Sequence, residues 1–424
     1  MTEELLRRAL RYRWLIFFIL AFGYALVFFH RLCPAVVAVD MMADLGASGT
    51  LLGILSSAYF YPYAAMQLPA GLLSDSWGPR RTVAVFSLVA FVGSVLLGLA
   101  QGISWAIGGR LLVGLGVSMV FVPTMKILAE WFTVREFSRM TAILMAVGAL
   151  GTFSAASPLA ALSGWIGWRM SFAAVGVLSL VLALMVWVFV RDRPEHLGWP
   201  QVTDTRGAGS AAIGLAQGVR QVLTQIPFWV IGAWFFFGAA TMFSFGGLWG
   251  GPYMQHVHGL SKSEAGQILS LWAVGTILGS ALVSLTPAAW LGARKRILIA
   301  AGSLSVVLIS ALALFTQAIP VPALYAVCLG FGVAQAAMVI FGYTVIKELF
   351  PLQIAGTATG LANLFPFAGG AVFQPLVGYI LERYRTPAGV FSVAGYQTAF
   401  SVLLCCSVTS LALIVCLKDG RQTP

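Results

Sequence analysis

The chain has 424 residues, of which 59% are hydrophobic and only 9% are charged, with a formal net charge of +11. A soluble domain carries about a quarter charged residues as a polar coat, so a water-soluble enzyme is excluded. The charged residues fall in short clusters between apolar stretches of bilayer length. The composition therefore indicates a protein embedded in a lipid bilayer, and it excludes a disordered chain, a secreted disulfide scaffold and a nucleic-acid partner.

The cysteines indicate neither a disulfide framework nor a metal site. All five lie inside apolar runs, with no paired loop spacing and no clustering with histidine. No Walker-type nucleotide loop occurs, and no nucleophile has a plausible base. We therefore expect no cofactor, no ATP drive and no enzymatic activity.

Apolar runs separated by polar breaks predict twelve membrane-spanning helices, because unpaired backbone groups are too costly in lipid. The first run is too long for a signal peptide and lacks a small-residue cleavage site, so it is expected to remain as the first helix. The predicted helices cover Trp14–Val39, Gly49–Leu73, Thr82–Gln101, Ser104–Leu128, Met140–Leu162, Met170–Val190, Phe228–Trp249, Ala265–Leu285, Ile297–Phe315, Ala323–Ile346, Ala355–Ile380 and Gln397–Leu417.

The basic residues predict the orientation of the chain. If the N-terminus is cytoplasmic, most Lys and Arg residues lie in cytoplasmic segments, as the positive-inside rule requires. We therefore expect both termini in the cytoplasm and a bacterial cytoplasmic (inner) membrane as the location, with a monomeric chain. The basic residues left outside are Arg169, Lys262, Arg383 and Arg385.

A long polar segment divides the predicted helices into two sets of six. It runs from Arg191 to Pro227 and is expected to form a cytoplasmic linker (191–227) with a short amphipathic helix near Leu215–Leu223. Residues 1–190 and 228–424 then form an N-terminal and a C-terminal six-helix bundle.

An internal repeat supports this division. Matching residues recur at the same offset of 218, and because six is even, both halves have the same orientation in the membrane. The pairs are Pro34 and Pro252, Gly114 and Gly332, Glu130 and Glu348, and Gly151 and Gly369.

The loop after the second predicted helix carries Gly71, Asp75, Gly78, Arg80 and Arg81. This pattern resembles the signature between the second and third helices of the major facilitator superfamily. Gly71 is expected to allow close helix approach, and Gly78 to form the turn. Asp75 is expected to cap a neighbouring helix or pair with an arginine, so that the motif forms a conformational latch. The second-half counterpart, residues 289–295, has lost the acid.

Two arginines predicted within spans extend the resemblance. Arg31 on the first helix and the Gly109-Arg110 motif on the fourth are similar to the branch that contains organophosphate permeases and organic-anion:cation symporters. The resemblance implies an all-α membrane protein with twelve transmembrane helices in two six-helix bundles. It also implies that Arg31 binds an anionic substrate and that Arg110 charges the cavity or orders the first helix. Two residues depart from the pattern of this branch. Proton-coupled symporters carry an acid at the position of Val117, and phosphate-ester exchangers carry a basic residue at the position of Trp249.

None of the 14 acidic residues falls near a predicted helix centre, so the interior offers positive charge. Arg31 is expected to face water, substrate or a partner, because a lone charge in lipid costs several kcal/mol. The alternative is that Arg31 snorkels outward or bonds carbonyls freed by Pro34, and Arg110 has a similar alternative. His30 is a candidate carrier for a coupling proton, but a neutral hydrogen-bonding role is favoured beside Arg31.

Further polar residues are candidates for the substrate site. Tyr59, Tyr63 and Gln67 recur at four-residue spacing on the second predicted helix and therefore share one face, although such a stripe is also typical of helix packing. The candidates from the second half are Gln335, Tyr343 and Asn363.

These features predict a secondary active transporter that moves a small organic anion, a carboxylate, by alternating access. Coupling to a cation, H+ or alternatively Na+, is part of this prediction. The alternatives are an exporter or exchanger of drugs, siderophores or phosphate esters, and a transporter-like sensor that does not translocate its ligand.

Overall fold

The computed structural model describes residues 2–202, 215–284, 294–350 and 352–416. Over these ranges the chain is helical almost throughout, with one isolated antiparallel bridge between Arg385 and Phe391. Ten helical stretches in the described residues are long and apolar enough to cross a membrane. The longest, Arg135–Phe189, has 55 residues and is interrupted at Gly167, whose φ of 77° favours glycine, so it supplies two crossings.

One further crossing consists of three short helices, Gly49–Ser57, Phe60–Ala65 and Gln67–Ser76. A proline lacks an N–H group and its ring clashes with the carbonyl four residues earlier. Pro62 and Pro69 therefore account for the interruptions that follow Ser57 and Ala65.

The described helices thus make twelve crossings, which confirms the predicted number, and we refer to them as spans one to twelve. In chain order the spans are Thr2–Leu32 with Pro34–Leu45; Gly49–Ser57, Phe60–Ala65 and Gln67–Ser76; Pro79–Gly98; Ile103–Ser118 with Phe121–Trp131; Val134–Ser154 with the part of Ser157–Phe189 before Gly167; the remainder of Ser157–Phe189; Ile226–Thr241, the π-helix Met242–Trp249 and Gly250–His258; Lys262–Ser284; Arg294–Leu314; Val321–Leu349; Leu352–Ala362 with Leu364–Arg383; and Val393–Cys416.

Several predicted ends were wrong, among them the start of the first span, which lies at Thr2 and not at Trp14. The first span continues beyond Val39 to Leu45, and the seventh continues beyond Trp249 to His258. Histidines therefore occur in the seventh span as well as at His30 in the first. The amphipathic helix Leu215–Leu223 is present in the segment between the halves. In the second-half counterpart of the latch loop, residues 289–293 lie outside the described residues.

Repeat-related glycines make equivalent helix crossings in the two halves. A Cβ atom on Gly114 of the fourth span would clash with the backbone carbonyl oxygen of Tyr59 in the second span. A Cβ atom on Gly332 of the tenth span would clash in the same way with the carbonyl oxygen of Trp272 in the eighth. Small residues therefore let these backbones touch, as is common between membrane helices.

A second pair of glycines repeats this arrangement. Gly151 of the fifth span lies against the carbonyl group of Ala25 in the first, and Gly369 of the eleventh lies against that of Phe236 in the seventh. The offset that relates the glycines in sequence therefore also relates their packing.

Charged residues lie at the two ends of the bundle. At one end, which we call the basic face, Arg13 pairs with Glu136 at 2.8 Å, and Arg193 lies 3.4 Å from Glu130. At the other end, the opposite face, Asp44 pairs with Arg169 within the first half.

The two halves meet closely towards the opposite face along what we call the seam. Asp40 of the first span pairs with Lys262 of the eighth, and the Gly49 N–H donates to Glu382 Oε2 of the eleventh at 2.6 Å. A Cβ atom on Gly53 would lie 2.6 Å from the Cα atom of Pro375, so the second and eleventh spans touch through their backbones.

Replacing Gly114 with alanine should destabilise the protein, because the new methyl group forces the fourth span away from Tyr59. Overpacking of this kind costs about 1–3 kcal/mol. Gly108→Ala on the same span is the matched control, since its Cβ atom would meet its nearest neighbour only at 4.0 Å. Thermal unfolding of the detergent-solubilised protein should show a lower Tm for Gly114→Ala alone. Equal Tm values for the two variants would contradict the crossing.

Candidate functional site

Arg31 lies in the interior of the bundle, one residue before the first helix ends at Leu32. Its side chain is buried, and Nη2 donates a hydrogen bond to the Tyr63 hydroxyl group at 3.0 Å. The guanidinium carbon lies 4.6 Å from the ring centre of Phe28, 5.1 Å from that of Tyr63 and 5.0 Å from that of Phe367. The alternative in which Arg31 snorkels outward is therefore wrong.

The aromatic partners of Arg31 were not predicted. Phe28 precedes Arg31 by three residues and therefore shares its helix face, and Phe367 follows Asn363 by four residues. Helical spacing from the predicted polar residues would have identified both rings. The faces of aromatic rings attract a cation, which offsets part of the cost of burying this charge.

Arg110 is also buried, with 1% of its surface exposed, so outward snorkelling is wrong for this residue as well. Its guanidinium carbon lies 5.1 Å from the ring centre of Tyr59, and Nη1 donates to Cys33 Sγ at 3.7 Å. Within the described ranges, Nε and Nη2 of Arg110 have no hydrogen-bond partner. The rings of Tyr59 and Tyr63 stack with their centres 5.5 Å apart, so the ring that Arg110 faces and the ring that Arg31 faces are neighbours.

No carboxylate in the described part of the chain pairs with Arg31 or Arg110. The ion pairs that are present lie at the two faces of the bundle. The interior site therefore holds two positive charges without a negative partner, which is an arrangement suited to an anion.

His30 is fully buried, and neither of its ring nitrogens has a hydrogen-bond partner among the residues that the structure describes. The expectation of a hydrogen-bonding histidine is therefore not met in this structure. Its ring lies edge-on to Phe29 with the centres 5.8 Å apart.

A chain of hydrogen bonds links the two halves next to Arg31. Asn363 Nδ2 donates to Gln67 Oε1 at 3.1 Å, and the Tyr343 hydroxyl group donates to Asn363 Oδ1. Gln67 Nε2 in turn donates to the carbonyl oxygen of Tyr63 at 3.1 Å. Three predicted residues from different spans are thus connected to the partner of Arg31.

Gln335 is not part of this cluster. It lines a separate small pocket inside the second half, together with Thr241, Trp272, Ser407 and Ser410. The hydroxyl groups of Thr241 and Ser407 hydrogen-bond each other at 3.1 Å.

The latch motif makes its contacts within the first half. Asp75 pairs with Lys126 of the fourth span, so the expected arginine or helix-cap partner was wrong. A Cβ atom on Gly71 would meet nothing within 4 Å, so Gly71 does not mark a close helix approach in this structure. Gly78 has a φ of 94° and forms the expected turn.

Arg80 is held by an acid that was not predicted. Its backbone N–H donates to Asp192 Oδ1 at 2.7 Å, and its guanidinium carbon lies 5.1 Å from the ring centre of Trp187. Arg81 is exposed. The sequence signal for this contact was an acid between two arginines at the start of the linker. Asp192 occupies that position and caps the first turn of the third span.

These features define a polytopic helical membrane protein with a buried cationic site where its repeated halves meet. The chain belongs to the Major Facilitator Superfamily, whose family model matches residues 14–371. It is a transporter of that superfamily and not an enzyme.

Three similar proteins are named as transporters of organic anions. The chain is 25% identical over 421 residues to the probable galactarate/D-glucarate transporter GudP of Escherichia coli, covering 92% of this chain and 90% of that protein. It is 27% identical over 190 residues to the probable sulfoacetate transporter SauU of Cupriavidus necator, covering 45% of this chain and 44% of that protein. A putative tartrate transporter of Agrobacterium vitis is 26% identical over 272 residues, covering 61% of this chain and 60% of that protein.

Solved structures share the fold. A D-xylose-proton symporter superposes with a TM-score of 0.74 at 16% identity, covering 97% of this chain and 99% of that one. A bacterial homologue of the lysosomal transporter Spinster, in an inward-facing and occupied conformation, gives a TM-score of 0.73 at 18% identity, covering 95% and 96%.

Tyr63→Phe should destabilise the empty protein, because it removes the hydrogen-bond partner of a buried guanidinium group. Leaving such a group unpaired costs about 1–3 kcal/mol. Tyr61→Phe is the matched control, since the Tyr61 hydroxyl group also makes one hydrogen bond, which it donates to the carbonyl oxygen of Ala371 at 3.3 Å, but from a half-exposed side chain. Thermal unfolding should show the larger loss of Tm for Tyr63→Phe, and the reverse order would contradict the role given to this bond.

Proposed function

We propose that this transporter is a secondary carrier that moves a small organic anion, a carboxylate, by alternating access, with Arg31 as its main anchor for the anion. One observation carries the proposal: Arg31 and Arg110 are buried without a carboxylate partner among the described residues. A bound carboxylate would supply the missing negative charge and accept hydrogen bonds from the free N–H groups. The names of the similar proteins, which include sulfoacetate, tartrate and glucarate, support this class of substrate.

The remaining candidates have defined places in this proposal. Tyr59, Tyr63 and Gln67 form one wall of the site, and Tyr343 and Asn363 form the wall from the second half. Residues 1–190 and 228–424 act as the two moving bundles, joined by the linker 191–227. The basic face is cytoplasmic, in a bacterial inner membrane, and the seam closes the outer side.

Alternating access requires the two halves to rock around the central site. The seam towards the opposite face would separate when the outer side opens. The latch of Gly71, Asp75, Gly78, Arg80 and Arg81 would act at the basic face. Since Gly71 has open space beside it here, it is available for a close helix approach in the other conformation.

Coupling to H+ completes the proposal, with His30 as the candidate proton carrier. His30 is buried beside Arg31, and both of its ring nitrogens are without partners. In proteoliposomes, His30→Ala should lose accumulation driven by a pH gradient while retaining exchange of labelled substrate. Full pH-driven accumulation by His30→Ala would remove this residue from the mechanism, and accumulation driven only by Na+ would replace the coupling ion.

Arg31→Ala should abolish uptake, because it removes the charge that anchors the carboxylate. The substrate is first found by thermal-shift screening of the purified protein against carboxylates, sugar acids and phosphate esters, since a true ligand stabilises the folded state. Arg139→Ala is the control, because Arg139 is an exposed basic side chain. Arg31→Ala should lose both the thermal shift and uptake, whereas the control should keep both.

Retained uptake by a folded Arg31→Ala protein would contradict the site. Stabilisation by ligand without counterflow in proteoliposomes would instead favour a transporter-like sensor. Preferential efflux of drugs, siderophores or phosphate esters from sealed vesicles would favour the exporter or exchanger.

Weakening the seam should shift the protein towards the conformation that is open at the opposite face. Asp40→Asn removes an ion pair across the halves, and Glu382→Gln removes the carboxylate that accepts from Gly49. Asp44→Asn is the matched control, because the Asp44–Arg169 pair lies on the same face but within one half. Labelling of single cysteines introduced along the seam, in a background without native cysteines, should accelerate in the first two variants and not in the control. Equal acceleration in all three would contradict the seam.

A further inference from the structure

We propose that the substrate carries two anionic groups, one bound by Arg31 and the other by Arg110, so that its chemical class is a short dicarboxylate or a comparable dianion. This inference rests on the proposed function and adds the number of charges that the site is built to accept.

Arg110 carries the first part of the argument. It is more deeply buried than Arg31, at 1% exposed against 8%, and its only hydrogen-bond acceptor among the described residues is the Cys33 sulfur at 3.7 Å. Thiol sulfur is a weak acceptor, and two guanidinium nitrogens, Nε and Nη2, have no partner in the part of the chain that the structure describes. An arginine that served only to hold helices together would be expected to bond carbonyl or carboxylate oxygens.

The tyrosine pair carries the second part. Arg31 lies against the ring of Tyr63, Arg110 lies against the ring of Tyr59, and these rings stack with their centres 5.5 Å apart. The two cations therefore lie against neighbouring rings of one stacked pair. A ligand that reaches both needs an anionic group at each end of a short chain.

Charge balance carries the third part. Each arginine contributes one positive charge, and no described carboxylate offsets either of them. A monoanion would leave one uncompensated charge in a site of low dielectric constant, whereas a dianion neutralises both. The affinity for a dianion should therefore exceed that for a monoanion of the same shape.

The test compares unbranched dicarboxylates, from malonate to adipate, with their monoamides, which keep the shape and remove one charge. Binding is measured by isothermal titration on the full-length protein in detergent. The wild type should bind its best dicarboxylate at least tenfold more tightly than the monoamide. Arg110→Gln should lose this preference by weakening the dicarboxylate alone, while Arg31→Gln should weaken both ligands. Arg110→Lys, which keeps the charge, should retain part of the preference.

Equal affinities of the wild type for dicarboxylate and monoamide would overturn the inference, and this comparison needs no variant to fold. Equal weakening of both ligands by Arg110→Gln would also overturn it and would make Arg110 a packing residue. In either case, dependence of monoamide binding on Arg31 would leave the proposed function standing. Monoamide and dicarboxylate binding that were both unaffected by Arg31→Gln would contradict the proposed function itself.

Discussion

The buried positive charge of Arg31 and Arg110 constrains the rest of the structure. An isolated charge in a membrane interior is costly, and here no described carboxylate pairs with either arginine to offset that cost. Aromatic faces offset part of it, because their negative quadrupoles point at the guanidinium groups. The rings must therefore be held in place, and the crossing of Gly114 against the backbone of Tyr59 does this directly. The glycine crossings of the first half thus determine the geometry of the site as well as the packing of the helices.

The two halves contribute different chemistry to one site. The first half supplies both arginines and the stacked tyrosines, whereas the second half supplies Phe367 and the hydrogen-bonding pair Tyr343 and Asn363. A ligand on Arg31 would therefore lie beside groups of both halves. This matters for a carrier, because a ligand can shift a conformational equilibrium only through interactions that differ between the states. The pocket around Gln335 lies within one half, so occupancy there would not distinguish the states in this way.

Which backbones the glycines meet could not be predicted from sequence, but the number of spans and the constant offset between the repeated glycines could be, because hydrophobic length and residue identity are local properties. The span ends at Val39 and Trp249 could not, since the helices continue through polar residues that tertiary contacts stabilise: Asp40 continues the first span because Lys262 of the other half pairs with it. Helical spacing places Glu130 one turn from Lys126, yet Lys126 pairs with Asp75 while Glu130 pairs with Arg193. Local spacing offered one partner and the neighbouring span supplied another. Arg31 and Tyr63 could be proposed for one site from sequence, but their direct bond depends on how the first and second spans cross.

The seam and the site differ in what their opening would cost. The seam consists largely of backbone contacts at glycines, such as Gly53 against Pro375. The Asp40–Lys262 ion pair and the Glu382 carboxylate would pass into water when the halves part, and a partly exposed ion pair such as Asp40–Lys262 contributes little net stability. Separation there leaves no buried charge unpaired. The central arginines differ from these seam contacts, because they have no described carboxylate partner even before the halves move. An anion that neutralises them lowers the energy of every conformation in which they are buried, and most of all that of a conformation closed on both sides. The same charges that select the substrate would thereby make reorientation depend on its presence.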